Sequence, residues 1–272
     1  MKISVVLPVL APTQFLRAMT EFAIKTLRLH ADNPFELVLV EAEHDHFDPE
    51  RHPFSWPSEL DRRPGHFVSE HVRIDKYLRF NPKQGCIKEF NAGIAAASHE
   101  FVVSTGNDVI APPHWDTELL RCFEERRDCG AAALSAFEPG AIIGPPQALD
   151  LLVEGMYSPF MMYRRDWRLD EAYLKIYSDS DLIMRMYEAG LRPYRSCRAH
   201  VHHLLRMTSD RVEPEQHARD LAHDERLFYR RWGKSTLAAF GVIRTGQWTY
   251  GQEHVSLLRP IQLHYDPTKD EG

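Results

Sequence analysis

The side chains best suited to chemistry in this 272-residue sequence stand where apolar segments end. Asp108 follows the apolar run that begins at Phe101, and Pro112 and Pro113 then stop the strand that this run predicts. An acidic group at the carboxyl end of a buried strand lies where open α/β sheets bind ligands. A carboxylate there can hold Mg²⁺ or Mn²⁺, which in turn binds a diphosphate. The alternative is that Asn107 and Asp108 form an Asx turn that caps the strand end.

Two other regions are candidates for binding the same ligand. Glu41 ends the apolar strand predicted over residues 35–40, so it lies on the ligand side of a parallel sheet unless it is a solvent-facing strand end. Lys88 and Asn91 flank the start of a predicted helix after Gly85. Free N–H groups at such a helix terminus bind phosphate oxygens, although ordinary surface positions would look the same in sequence.

Two carboxylates, Asp179 and Asp181, stand at the start of another predicted helix. Acidic side chains there cap free N–H groups and interact favourably with the helix dipole. One carboxylate is sufficient for that role, and Arg185 lies within one turn of Asp181 on the same helix. The other carboxylate is then available for proton transfer or for binding a hydroxyl group.

Three histidines cluster at the end of a predicted strand: His200, His202 and His203. Strand alternation places His200 and His202 on one face and His203 on the other. Imidazoles at a strand end are candidate metal ligands, and the alternative is a structural role.

The candidate side chains must be positioned by the strands and helices of the chain, and the sequence predicts that these alternate. The β-α-β order at the start predicts right-handed crossovers and a parallel sheet. Residues 44–65 are rich in proline, histidine and charge, and we expect a long loop there. Apolar periodicity predicts strands over residues 3–7, 35–40, 76–80, 101–103, 131–137, 157–163 and 192–203, and helices over 13–30, 85–97, 116–127, 179–189 and 213–232.

Composition restricts the classes of partner and compartment. The formal charge of −6 gives no general attraction to nucleic acid. The four cysteines show no metal-site spacing and no disulfide framework, so reduced thiols are expected. The sequence shows no signal peptide and no apolar run long enough to span a membrane, so we expect a cytoplasmic protein. Peripheral contact with the inner face of the membrane is compatible with that expectation.

Taken in order, these residues resemble a family 2 glycosyltransferase of the GT-A fold. Each fragment is weak by itself, but the ordered set is specific and extends over roughly the first 233 residues. It consists of Ser4-Val-Val-Leu-Pro8, Glu36-Leu-Val-Leu-Val-Glu41, Gly85 with Asn91-Ala-Gly-Ile94, Asn107-Asp108, Tyr177-Ser-Asp-Ser-Asp-Leu182 with Arg185 and Gly190, Val201-His202 and Phe228-Tyr-Arg-Arg-Trp-Gly233.

The resemblance implies a Rossmann-like α/β fold of the GT-A type. We expect a mostly parallel sheet flanked by helices, a mixed acceptor-side half and a C-terminal helical segment. The implied domain covers residues 1–233, with a nucleotide-binding half over 1–113 and an acceptor-side half over 114–233. Residues 234–272 would form a C-terminal extension.

The implied activity is transfer of one sugar from a nucleotide-diphosphate sugar to an acceptor hydroxyl, with inversion and a divalent metal such as Mn²⁺ or Mg²⁺. The acceptor class expected of the family is a glycan or lipid-linked glycan in polysaccharide biosynthesis. Arg231-Trp232 lacks the Gln of the processive synthases' Gln-x-x-Arg-Trp motif, which favours transfer of a single sugar. The alternative is a non-catalytic nucleotide-sugar-binding relative or scaffold. A nucleotidyltransferase is disfavoured, because residues 10–13 lack the required glycines and basic charge.

The resemblance also implies individual roles. Asp179 matches the general base, and Asp108 with His202 matches the metal site. The chain departs from the family pattern at Gly106, which replaces the first acid of Asp-x-Asp, and His203 would replace His202 if the strand register slips by one residue. The remaining roles are nucleotide or diphosphate binding for Pro8, Glu41, Lys88, Asn91, Asn107 and Asp108, and acceptor binding for Asp181 and Arg185.

Overall fold

A computed structural model of the chain describes residues 1–48, 73–137, 152–154, 159–204 and 214–232. Within these ranges strands and helices alternate through most of the chain. In chain order they are β1 (Ile3–Val9), α1 (Gln14–His30), β2 (Glu36–Ala42), β3 (Lys76–Phe80), α2 (Cys86–Ala96), β4 (Phe101–Thr105), β5 (Val109–Ile110), α3 (Trp115–Glu125), β6 (Cys129–Phe137), β7 (Leu152–Glu154), β8 (Phe160–Arg164), α4 (Ser178–Glu188), β9 (Arg192–His203) and α5 (Pro214–Trp232).

The strands form one mixed sheet in the order β3-β2-β1-β4-β8-β6-β9-β5, and β7 pairs with β9. The first four strands of this order are parallel. β8 then runs antiparallel to both β4 and β6, while β6 and β9 are parallel. The α/β class is confirmed, but the prediction of a mostly parallel sheet is wrong. It failed because the strand–helix alternation that predicts parallel pairing stops at β6, after which β7 and β8 follow with no helix in the described part between them.

Helices cover both faces of the sheet. Apolar residues of α1 and α3, such as Leu16 and Trp115, pack on one face. Those of α2, α4 and α5, such as Ile94, Leu182 and Phe228, pack on the other. Because neighbouring strand residues point to opposite faces, the central strands are buried on both sides and read as continuous apolar runs.

Local chemistry explains several element boundaries. Thr13 caps α1 by accepting a hydrogen bond from the Leu16 N–H at 3.3 Å. β1 runs through Pro8 to Val9, two residues beyond the predicted end. Pro8 lies beyond the end of the β1–β4 pairing at Val6, where β1 pairs with β2 alone, and such edge positions tolerate proline.

The predicted helices and most of the predicted strands agree with the structure to within a few residues. The short strands β5 and β7 were not predicted. Most of the loop expected over 44–65, the start of the strand expected over 157–163, and the extension over 234–272 lie outside the described residues. The division at residue 113 stays a prediction. None of the helices in the described ranges is both long enough and apolar enough to cross a membrane.

Candidate functional site

A cavity of about 600 Å³ opens at the carboxyl end of β4, a volume suited to a small-molecule ligand. Asp108 and Asp179 are far apart in the sequence, and both line this cavity. The sequence analysis singled out both of them. The rest of its described wall comes from the end of β4, α2, the start of α4 with the segment before it, the end of β9, one side of α5, and residues in and around β8. These lining residues include Cys86, Ile87, Ser104, Thr105, Gly106, Lys175, Tyr177, His203, His217 and Glu225.

Asp108 lies in the turn between β4 and β5. The pairing of β5 with β9 determines which side chain of β9 lies next to it. Val109 pairs with His203 in the β5–β9 ladder, and the Leu204 N–H donates to the Asp108 carbonyl at 2.8 Å. His203 Nε2 consequently lies 3.7 Å from Asp108 Oδ2, and both side chains are largely buried. His202 pairs opposite Ile110 and is exposed. The structure therefore brings His203, rather than His202, to Asp108 and the cavity.

Asp108 and His203 have the chemistry to share a divalent cation. A carboxylate and an imidazole suit Mn²⁺, and two donor atoms 3.7 Å apart can bind one ion. No group of three or more histidine, cysteine, aspartate or glutamate residues suited to a metal occurs among the residues the structure describes. A metal here would therefore complete its shell with water and substrate oxygens, as ions that bind phosphates usually do.

Gly106, where the resemblance expects the first acid of Asp-x-Asp, lies directly beside the Asp108 carboxylate. A Cβ added to Gly106 would lie 2.7 Å from Asp108 Oδ1. Any side chain at position 106 would therefore force the Asp108 carboxylate to move.

The two carboxylates at the start of α4 have different environments. Asp179 is half-buried, lines the cavity and accepts a hydrogen bond from the Ser180 N–H at 2.8 Å. Asp181 is fully buried and accepts hydrogen bonds from Arg185 Nε at 2.8 Å and from Arg231 Nη1 and Trp232 Nε1 at 2.9 Å. Asp181 thus joins α4 to α5, while Asp179 faces the ligand space.

Arg185 contributes to the same internal network. It binds Asp181 through Nε and donates from Nη2 to the carbonyl of Arg168 at 2.7 Å. Neither Asp181 nor Arg185 belongs to the described cavity wall. Acceptor binding by these two residues stays a prediction.

Asp224, which the sequence analysis did not single out, holds the segment that leads to Asp179. Its buried carboxylate accepts hydrogen bonds from three consecutive backbone N–H groups, those of Leu174 at 2.9 Å and of Lys175 and Ile176 at 2.8 Å. A signal was present in the sequence, because residue 224 lies three residues after Leu221 and therefore on the packing face of α5. A charged residue on an apolar helix face requires partners, and these N–H groups are the partners.

Glu41 is buried at the end of β2 and is not a solvent-facing strand end. Its oxygens accept hydrogen bonds from the His46 N–H at 2.9 Å, the Phe47 N–H at 3.0 Å and the Tyr77 hydroxyl at 2.8 Å. Burial and the hydrogen bond to Glu41 together raise the pKa of Tyr77. Glu41 therefore orders the turn that follows β2.

The other positions predicted to bind the nucleotide lie outside the cavity lining. Asn91 bonds to Leu169 in both directions, with Nδ2 to the carbonyl at 2.8 Å and Oδ1 to the N–H at 3.0 Å. Asn107 Nδ2 donates to the Thr20 hydroxyl at 3.0 Å. Lys88 is exposed, and Pro8 forms part of β1. Nucleotide binding by these residues stays a prediction.

Comparison with protein-family models and with curated protein sequences gives no match. Solved structures of the same fold include three of Staphylococcus aureus TarS. TarS residues 1–349 match with a TM-score of 0.53 and 16% identity over 89% of this chain and 75% of that one. The same fragment in complex with UDP matches with a TM-score of 0.55 and 14% identity, over 93% of this chain and 77% of that one. Another TarS structure matches with a TM-score of 0.55 and 15% identity, over 89% of this chain and 46% of that one. At these identities the likeness establishes the fold alone.

Proposed function

We propose that this protein is a GT-A glycosyltransferase that moves a single sugar from a nucleotide-diphosphate sugar to an acceptor hydroxyl with inversion. The observation that carries the proposal is that Asp108 and Asp179 line one cavity of about 600 Å³. The fold shared with TarS supports it, because a TarS structure was solved in complex with UDP. TarS is itself a glycosyltransferase.

Asp179 is the general base in this proposal. The acceptor oxygen attacks the anomeric carbon from the face opposite the leaving diphosphate, so the new C–O bond forms as the bond to the diphosphate breaks. The proton of the acceptor hydroxyl passes to the Asp179 carboxylate. A half-buried carboxylate on the cavity wall suits this role, because it is reachable by substrate and fixed at a helix start.

A divalent cation is proposed at Asp108 and His203, with His202 as the alternative imidazole from the sequence motif. The charged lining of the cavity includes the carboxylates of Asp108, Asp179 and Glu225 and the ammonium group of Lys175. This lining is acidic overall, so an anionic diphosphate would be repelled unless a cation accompanies it. When bound, the metal would neutralise the charge on the departing nucleoside diphosphate.

The remaining assignments follow the family resemblance. The nucleotide is proposed to lie at the carboxyl ends of β1 and β2, near Pro8 and Glu41, with its phosphates toward the start of α2. The acceptor is proposed to be a glycan or lipid-linked glycan in polysaccharide biosynthesis. We propose a cytoplasmic protein that can contact the inner face of the membrane.

A specific observation favours the alternative of a non-catalytic nucleotide-sugar-binding relative. Glu41, Asn91 and Asn107, which the family resemblance assigns to the nucleotide, form hydrogen bonds within the protein. Gly106 also removes one acid from the metal motif. These features weaken the donor site of an enzyme but are compatible with a protein that only binds.

The first experiment is a thermal-shift panel of UDP, GDP, dTDP and CDP, each with and without Mn²⁺. A ligand that prefers the native state raises the melting temperature by mass action. We expect one nucleotide to stabilise the protein in the presence of Mn²⁺ and Asp108→Asn to abolish that effect. Asp166→Asn is the matched control, because Asp166 is exposed and outside the cavity lining.

Nucleotide-sugar hydrolysis then separates the two functions. Turnover that disappears in Asp179→Asn supports the transferase, whereas nucleotide binding without any turnover supports the binding protein. If no nucleotide shifts the melting temperature and no nucleotide sugar is hydrolysed, both proposals are wrong.

A further inference from the structure

Helix α5 forms one wall of the cavity and also contacts the segment that leads to the proposed base. His217, Leu221 and Glu225 recur every four residues and therefore lie on one face of α5, and all three line the cavity. The adjacent residue, Asp224, is fully buried and lies outside the described cavity wall. The Asp224 carboxylate is therefore placed to hold another part of the protein rather than a ligand.

One short stretch of backbone uses both oxygens of the Asp224 carboxylate. Oδ1 accepts a hydrogen bond from the Leu174 N–H at 2.9 Å, and Oδ2 accepts from the Lys175 and Ile176 N–H groups at 2.8 Å each. Successive N–H groups that converge in this way form a concave anion site, and here the anion is a side chain of the protein itself. Three charge-assisted hydrogen bonds thus fix residues 174–176 against α5.

The backbone of the next residue, Tyr177, has a conformation that requires support from its surroundings. Its φ of 63° and ψ of −9° lie in the left-handed region, which residues with a Cβ seldom adopt and which persists where neighbouring structure holds it. The Tyr177 ring packs on Phe228 of α5 with centroids 5.2 Å apart, and its hydroxyl donates to Glu225 at 3.4 Å. Contacts from α5 therefore fix the chain up to the first residue of α4, and Asp179 is the second residue of that helix.

We propose that Asp224 is a positioning residue for the general base. Its hydrogen bonds to residues 174–176 hold the start of α4 so that the Asp179 carboxylate meets the acceptor hydroxyl. This inference rests on the proposed function, in which Asp179 is the base. Proton transfer requires the base within hydrogen-bond distance of the hydroxyl, and a misplacement of about 1 Å can lower turnover about 10²-fold. Because donor binding is assigned to other elements, Asp224 is expected to affect kcat rather than the KM for the nucleotide sugar.

Asp116 in α3 is a matched control for the structural part of this role. It is also buried, and its carboxylate accepts hydrogen bonds from the Asp32 N–H, the Asn33 N–H and Asn33 Nδ2, each at 2.9 Å. Asp116 fixes the turn after α1, on the other face of the sheet from α5, and lies outside the described cavity lining. Asparagine at position 116 or 224 keeps the size of the side chain but turns an NH₂ group toward N–H donors. Both substitutions should therefore lower the melting temperature, and only the one at position 224 should lower turnover.

Steady-state hydrolysis by the full chain with Mn²⁺ tests the proposal, well below the lowest melting temperature of the set. The probes are the glucose and N-acetylglucosamine derivatives of the nucleotide diphosphate that stabilises the protein. We expect Asp224→Asn to lower kcat about 10- to 100-fold and to change the KM by less than about twofold, whereas Asp116→Asn keeps the wild-type kcat.

Two further variants show whether Asp224 acts through the base. In an Asp179→Asn background, Asp224→Asn should lower the residual kcat no further, because a positioning residue has no effect once the group that it positions is absent. Asp224→Glu keeps the charge but displaces it by one methylene, so it should give an intermediate kcat. If Asp224→Asn does not fold, Asp224→Glu carries the test with Asp116→Glu as its control.

A kcat for Asp224→Asn that equals that of the wild type or of Asp116→Asn would overturn the positioning role. A loss that repeats in full in the Asp179→Asn background would also overturn it, because Asp224 would then act independently of the base. In both cases turnover by the wild type leaves the proposed function standing. If the wild type binds the nucleotide but hydrolyses neither probe, the proposed function and the positioning role both fail, and the inactive wild type distinguishes this result from the other two.

Discussion

Nε2 of His203 lies 3.7 Å from Oδ2 of Asp108 because the two-residue strand β5 pairs Val109 with His203. Strand side chains alternate between faces, so a shift of one residue in this pairing would exchange His203 for His202. The choice of imidazole at the candidate metal site therefore depends on one short ladder.

Replacement of either histidine by alanine tests this pairing. We expect His203→Ala to abolish most of the Mn²⁺-dependent rise in melting temperature produced by the bound nucleotide, because it removes one of two protein ligands. His202→Ala should retain the rise, since His202 is exposed and pairs opposite Ile110. Thermal shift with and without Mn²⁺ is the measurement, and the reverse pattern would mean that the register differs in the liganded protein.

This example indicates what the sequence could and could not predict. The apolar run before Asp108 and the acidic helix start at Asp179 are local patterns, and they located both carboxylates that line the cavity. The selection of His203 over His202 depends on pairing between distant segments. A two-residue strand has too little pattern to reveal that pairing in advance.

The residues predicted to bind the nucleotide also show that contacts between distant segments cannot be predicted from local sequence. Glu41 and Asn107 are predicted from their places at strand ends, and the structure has them near the end of β2 and just after β4. Asn91 is predicted to flank a helix start, but it lies in the middle of α2. Their partners, Tyr77, Leu169 and Thr20, are distant in sequence, so hydrogen bonds within the protein could not be foreseen. The antiparallel insertion of β8 between β4 and β6 is also a long-range choice that local periodicity does not encode.

Substitution of the proposed base is expected to reduce turnover without preventing donor binding. Asp179→Asn removes the proton acceptor but keeps the size of the side chain, so nucleotide-sugar turnover should fall about 10²- to 10⁴-fold. The nucleotide dissociation constant should change little, because the proposed base contacts the acceptor. Steady-state kinetics combined with calorimetry measures both quantities, and Asp166→Asn should leave both unchanged. An Asp179→Asn variant with wild-type turnover would exclude Asp179 as the base.

A side chain at position 106 is expected to impair metal-dependent binding even when it is acidic. A Cβ at Gly106 would lie 2.7 Å from Asp108 Oδ1, so Gly106→Ala must displace that carboxylate. We expect Gly106→Ala and Gly106→Asp each to raise the Mn²⁺ concentration needed for half-maximal nucleotide stabilisation by several-fold. Titration of Mn²⁺ at constant nucleotide concentration is the measurement. Tighter Mn²⁺ binding in Gly106→Asp would show instead that Asp108 can move to accommodate the motif's first acid.

Substitution of Asp181 is expected to lower the free energy of unfolding, whereas substitution of Asp179 is not. Asp181→Asn leaves Arg185, Arg231 and Trp232 with a neutral acceptor in place of a buried carboxylate. Breaking such a buried charged network costs on the order of 3 kcal/mol in the free energy of unfolding. Urea denaturation measures this loss, and Asp179→Asn on the same helix should change stability by less than about 1 kcal/mol. Equal effects of the two substitutions would contradict the separate roles assigned to them.

Glu36 is expected to give the fold a defined sensitivity to acid. Burial by itself would raise the pKa of Glu36, but hydrogen bonds from Ser4, Ser98 and Lys76 outweigh it and lower the pKa to about 2. Because the folded-state pKa lies below the unfolded value, the resulting stability is fully present above about pH 4.5 and is lost as the pH falls toward 2. Glu36→Gln should therefore lower the free energy of unfolding at pH 7 by up to about 3 kcal/mol. Urea denaturation of both proteins between pH 7 and pH 3 should show the difference shrinking with acidification, and a pH-independent difference would mean that the charge of Glu36 contributes nothing.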